Sequence, residues 1–145
     1  GWIVGTGIYI DDAVSDAKNN SLEIIRTMRF GKDKKDYFWV NDSTEPNPIM
    51  LMHPAVPKLE GKPLEGKMFH TALGKYITGK GIKKNEDFVK LFVKWANQDG
   101  EAYVDYMWPR PTKDGLSKEN KPKMSYVKKF KQWGWMIGTR LSFLM

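Results

Sequence analysis

The 145-residue chain contains no cysteine. Disulfide frameworks, thiolate-held zinc or iron–sulfur centres and thiol catalysis are therefore excluded. Histidine is nearly as scarce. His53 and His70 are the only two, and neither has a helical i, i+4 partner with which to hold a metal. Arginine is limited to Arg26, Arg29, Arg110 and Arg140, against 20 lysines. Surfaces that clamp phosphates or read bases draw on arginine's planar fork. The net charge of +7 therefore reads as a solvated lysine-rich surface, and no nucleic-acid partner is expected. No apolar run approaches the ~20 residues of a membrane helix, and the first residues lack the charged-then-apolar layout of a signal peptide. If the parent protein is membrane-bound, its anchor is expected outside this chain. No serine sits in a nucleophile elbow. Gly5-Thr6-Gly7 lacks the helix-opening context of a dinucleotide loop. A catalytic reading is left with His53 as its one base, and neither cofactor nor metal is expected.

What remains is ordinary globular material. Hydrophobic residues make up 41% and charged residues 28%, enough for one domain with a real core. Gly1–Ile10 reads as a strand, and Asp11-Asp12 as the N-cap of a helix ending near Phe30-Gly31. Tyr37–Val40 and Ile49–His53 form a hairpin with a long connection. Met68–Ile77 has the spacing of a short amphipathic helix. Asn85 caps a second helix that presents Phe88, Leu91, Phe92 and Trp95, and Gly100 closes it. Ala102–Trp108, Lys123–Phe130 and Trp133–Phe143 are three further strands, and 109–122 is a basic loop. Consecutive strands joined by turns favour an antiparallel sheet, so the class is α+β. Gly1-Trp2-Ile3-Val4-Gly5-Thr6 matches Gly134-Trp135-Met136-Ile137-Gly138-Thr139 at four of six positions. A repeat one domain length apart suggests that residues 1–10 close a preceding copy and 11–145 form a whole one.

Aromatic residues recur on the strands. Alternation places Tyr37, Trp39 and Asn41 on one face and Phe38 and Val40 on the other. Ile49, Leu51 and His53 oppose Met50 and Met52. Ala102, Val104, Tyr106 and Trp108 share a face. Lys123, Ser125 and Val127 oppose Met124, Tyr126 and Lys128. Aromatic walls with a few polar tips suit a small-ligand pocket, and Lys123 is placed to neutralise a carboxylate. The same aromatics would also serve as plain core.

Tyr37-Phe38-Trp39-Val40-Asn41-Asp42, Met52-His53-Pro54 with Lys58-Leu59-Glu60-Gly61-Lys62, Gly100–Pro111, Pro122–Lys128 and Trp133–Thr139 follow one another in order. Together they resemble the boxes of the single Cache (sCache_2-type) sensor family. The resemblance implies a PAS-like fold, a central antiparallel sheet of about five strands with a long N-terminal helix. It also implies an extracytoplasmic (periplasmic) sensor of a bacterial chemotaxis receptor or sensor histidine kinase, membrane-anchored and homodimeric in the whole receptor. The ligand would be a small molecule, a short carboxylate by preference. Carried over by motif, the pocket residues are Trp39, His53, Tyr106, Trp108, Lys123 and Tyr126, with Tyr37, Phe38, Met52 and Ser125 behind them. Strand alternation does not put all of these on one face, so either some are core or a bulge re-aims them. The closing strand departs from the family pattern, reading Gly138-Thr139-Arg140-Leu141-Ser142-Phe143 in place of GTG-x-Y. Three alternatives stay open: a ligand-free spacer domain, an enzyme acting on a small acid, and a nucleic-acid or anionic-surface binder using residues 110–131.

Overall fold

The computed structural model describes residues 1–141. The expected ends at Ser142, Phe143 and Met145 lie outside the described residues. Five strands form one antiparallel sheet in the order β2-β1-β5-β4-β3. They are β1 (Phe38–Asp42), β2 (Met50–Met52), β3 (Glu101–Thr112), β4 (Gly115–Phe130) and β5 (Trp135–Arg140). Helix α1 (Ile10–Thr27) precedes them, and α2 (Phe88–Asp99) crosses from β2 to β3. This is the α+β, PAS-like Cache architecture expected from the motifs.

The sheet has two different faces. Tyr37, Trp39, Met50, Val104, Tyr106, Trp108, Val127 and Met136 pack with Phe88, Leu91, Phe92 and Ala96 of α2 into the main core. Val40, Met52 and Trp135 form a smaller cluster with Leu22 and Ile25 of α1 on the other face. No residue of α1 is fully buried, whereas α2 buries Phe88, Val89, Leu91, Phe92, Val93 and Ala96. The α2 face is thus the closed one, and α1 lies lightly on the sheet.

Several expectations are corrected. Residues 1–9 form no strand and are exposed. A strand needs a free edge, and both edges of β5 are taken, by β1 and β4. Helix α1 begins at Ile10, with Tyr9 as N-cap, so Asp11 and Asp12 sit in the first turn, where carboxylates complement the helix dipole. It stops at Thr27, ahead of Phe30, which pairs instead with Asp36 across a turn. Met68–Ile77 is not a helix. A 3₁₀ turn, Lys67–Phe69, leads into an extended stretch that pairs with β3. There Leu73 N–H donates to Asp105 O (2.8 Å) and Met107 N–H to Thr71 O (2.9 Å). The buried Asp105 carboxylate accepts the N–H groups of Gly74, Lys75 and Tyr76 at 2.7–3.1 Å. These bonds cover the exposed edge of β3. Asp87, not Asn85, caps α2, accepting from Val89 and Lys90 N–H. Gly100 closes it in the left-handed region, φ 84°, as expected.

The basic loop 109–122 is also corrected. It is the far half of the β3–β4 hairpin, paired out to Thr112↔Gly115. This half projects beyond the core and is exposed on both faces, so no apolar alternation marks it as strand. Its prolines are compatible with pairing because Pro109 and Pro111 lie on the edge strand and Pro122 lies beyond the reach of β5.

One close approach locks β1 to β5. Trp39 and Gly138 are cross-strand partners, and a Cβ on Gly138 would lie 2.2 Å from the Trp39 indole. The indole lies flat over the glycine, so the ring cannot hold its place if this residue gains a side chain. Gly138→Ala is expected to destabilise the domain by about 1–3 kcal/mol, the usual cost of overpacking, and to alter the near-ultraviolet circular dichroism of Trp39. Unchanged melting temperature and spectrum would show that the contact tolerates a methyl group.

Candidate functional site

The α2-facing side of the sheet carries one cation among rings. Lys123 of β4 stands opposite Tyr106 of β3 in register. Its Nζ lies 5.0 Å from the ring centre of Trp39, 5.1 Å from that of Tyr37 and 5.8 Å from that of Tyr106. Ring faces attract a cation without neutralising it. Its one hydrogen-bond partner among the described residues is the Tyr37 hydroxyl, at a long 3.5 Å. None of the ion pairs among the described residues includes Lys123. Burial of the ammonium, helped by repulsion from Arg140 and opposed by Asp36, lowers its pKa to about 7.

His53 stands beside it. The imidazole is stacked on Trp39, centroids 6.3 Å apart, and lies 5.3 Å from the Tyr37 ring. Its Nδ1 accepts the Val56 N–H at 3.0 Å, so Nε2 carries the proton. Burial first, and the Lys123 charge second, lower its pKa to about 3. His53 is therefore a neutral donor at any physiological pH. Burial also raises the Tyr37 hydroxyl to about 12, which keeps it a donor too.

These groups border two spaces. The inner cavity, about 30 Å³, is lined by Trp39, His53, Tyr106, Trp108 and Lys123 together with side chains of α2. That is room for about one or two waters. The outer cleft, about 460 Å³, shares Trp108 and Lys123 with it and adds Tyr37, Arg110, Lys121 and Arg140. Trp108 and Lys123 thus line both spaces.

Six of the ten expected pocket residues thus converge: Tyr37, Trp39, His53, Tyr106, Trp108 and Lys123. A β-bulge explains part of this. Val40 pairs with Met52 but Asn41 pairs with Met50, leaving Leu51 as the extra residue. Simple alternation puts Met50 and Met52 on one face. The bulge instead sends Met50 to the α2 core and Met52 to the α1 cluster. Met52 therefore lines neither space. Phe38 is on the α1 side as well, packed on Phe30 with ring centres 5.1 Å apart. Tyr126 is on the outer face too, where its hydroxyl donates to Glu101 at 2.7 Å and its ring meets Tyr103. Ser125 is on the correct face, but it is fully buried beneath the cavity and bonded to the Tyr106 hydroxyl at 2.9 Å.

The sequence reading missed the cationic rim, Arg110, Lys121 and Arg140, and the α2 wall of Phe88 and Phe92. Arg140 was legible by alternation, since Met136, Gly138 and Arg140 share a face of β5. Arg110 and Lys121 were hidden by reading the hairpin stem as a loop. Among the described residues no three His, Asp or Glu side chains converge to hold a metal, and no helix is long and apolar enough to cross a membrane.

The aromatic, cation-bearing cavity thus lies between a PAS-like sheet and a crossing helix. The chain belongs to the Cache domain family, whose dCache_2 model it matches over residues 1–142. The motifs resemble the sCache_2 type, and the family is the same at the level of the Cache domain. The chain is 35% identical over 125 residues to the methyl-accepting chemotaxis protein McpP of Pseudomonas putida KT2440. That match covers 85% of this chain and 19% of the relative, so the chain spans about a fifth of that protein's length. Among solved structures it resembles a Cache chemosensory domain described for its carboxylic acid recognition. The two share 31% identity with a TM-score of 0.64, over 91% of this chain and 78% of that one. It also resembles the periplasmic sensor domain of a chemotaxis protein, at 32% identity and a TM-score of 0.64, over 89% and 74% of the two chains. It is thus a Cache sensor domain of the chemoreceptor kind.

The Lys123 charge carries a measurable stability cost. Its lowered pKa means that folding disfavours the ammonium form. The cost is present in full below about pH 7 and is relieved as pH rises toward the ordinary lysine range, where the unfolded chain also loses the proton. Lys123→Met is expected to raise the melting temperature at pH 6, and the gain is expected to shrink toward pH 10. A gain that is absent, or that grows with pH, would contradict the assignment.

Proposed function

We propose that this chain is the extracytoplasmic sensor domain of a bacterial transmembrane chemoreceptor and that it binds a short organic acid at Lys123. The observation that carries the reading is the Lys123 ammonium, enclosed by three aromatic rings and in no ion pair among the described residues. A ligand carboxylate supplies the missing counter-charge. His53 Nε2–H and the Tyr37 hydroxyl donate to its oxygens, and Trp39, Tyr106 and Trp108 enclose its carbon chain. The named recognition of carboxylic acids by the similar Cache chemosensory domain supports the same class of ligand here. In this reading the whole receptor is membrane-anchored and dimeric, and residues 1–10 belong with a preceding Cache-like unit.

The signal has a physical route. The His53 backbone N–H donates to Glu60 Oε1 at 2.8 Å, and Glu60 holds Arg26 of α1 through two hydrogen bonds, 2.7 and 3.1 Å. The Arg26 pair lowers the Glu60 pKa, which keeps the link charged. A ligand that repositions His53 therefore biases the seat of α1, provided that it binds the two arrangements unequally. Arg26→Ala is expected to preserve acid binding while weakening output in the full receptor. Loss of binding, or unchanged output, would remove this route.

A ligand-free spacer is the second reading, favoured by the small inner cavity of about 30 Å³. Titration calorimetry of the purified domain with short monocarboxylates decides between the two. Saturable binding is expected, weakened at least tenfold by Lys123→Ala. Because bound carboxylate restores the ammonium, binding above pH 7 is expected to take up close to one proton, read from the dependence of the heat on buffer ionisation enthalpy. No binding by a cooperatively folded domain would favour the spacer.

A further inference from the structure

The outer cleft is more basic than one carboxylate requires. Lys32, Lys35, Arg110, Lys121, Lys123 and Arg140 line it, against Asp33 and Asp36. Arg140 stands at the end of β5, the central strand of the sheet, and its backbone is paired with Ser125 of β4. Its guanidinium is half used. One amino group forms an ion pair with Asp36 Oδ1 at 2.6 Å, while its Nε–H is shielded from solvent and has no hydrogen-bond partner among the described residues. A buried donor without an acceptor is uncommon and costs stability. Arg140 also stands near enough to Lys123 for its charge to lower the Lys123 pKa. Two cations repelling one another across one 460 Å³ space form an arrangement that a single anionic group relieves only in part.

Building on the acid-binding reading, we propose that the outer cleft is a second anion subsite centred on Arg140, and that the preferred ligands are short diacids. One carboxylate sits on Lys123, which lines both spaces. The other meets the solvent-exposed part of the Arg140 guanidinium in the cleft, with Arg110 and Lys121 adding favourable field. The diacid gives Lys123 its counter-charge and adds a second anionic partner to Arg140 beside Asp36, so its advantage over a monoacid of equal length comes from charge and not from extra apolar contact.

The test is calorimetric titration of the purified domain at pH 7 with pairs matched in carbon number, butyrate against succinate and valerate against glutarate. In the native protein at least one diacid is expected to bind ten times more tightly than its monoacid, or better. Arg140→Gln is expected to reduce that ratio at least fivefold. Arg140→Lys, which keeps the charge without the fork, is expected to fall between, and it carries the test if Arg140→Gln loses cooperative unfolding. Monoacid binding without diacid preference would overturn this subsite and leave the acid sensor standing. A preference that survives both substitutions would remove Arg140 from it. Failure of all four acids to bind would overturn the subsite and the acid-sensor reading together.

Discussion

The site depends on an ammonium group that the protein surrounds without neutralising. Lys123 meets three ring faces, one tyrosine hydroxyl and a neutral imidazole. Each of these attracts or tolerates the charge, and none cancels it. The cost of taking a cation from water is therefore only partly offset in the folded state. The proposed carboxylate binding rests on this missing counter-charge. The lowered Lys123 pKa, the unprotonated state of His53 and the apolar walls follow from the same exclusion of water.

The two faces of the sheet are packed unequally. Its α2 face holds the main core and the cavity, so Tyr37, Trp39, Tyr106 and Trp108 contribute to folding and to the site at once. Its α1 face holds only a small cluster, and α1 has no fully buried residue. The connection between the faces is local. The bulge at Leu51 turns Met52 toward α1 while its neighbour His53 enters the site. Glu60 bridges the His53 backbone to Arg26.

Much of this was legible because β-strands alternate. Ala102, Val104, Tyr106 and Trp108 share the α2 face as alternation requires, and so do Tyr37 and Trp39. Alternation failed where the backbone departs from a regular ladder. The bulge reversed Met50 relative to Met52. Tyr126 obeyed alternation and so fell outside the site to which family resemblance had assigned it. The stretch 109–122 failed for a different reason. A hairpin stem bathed in solvent on both faces has no apolar period, and its prolines and lysines read as loop until the edge position of β3 is known.

By itself, the sequence determined the α+β class, the Cache resemblance, the second helix with its glycine cap, and an aromatic face with a lysine among its strands. These follow from local chemistry, from period-two alternation and from turn residues that act over a few positions. Only the tertiary structure decided which rings surround Lys123, that His53 donates through Nε2, that Met52, Phe38 and Tyr126 face elsewhere, and that Arg140 completes a basic rim. Those facts depend on register between strands distant in sequence and on a one-residue bulge. Whether residues 1–9 form a strand was likewise decided by partners, since β5 has no free edge to offer them.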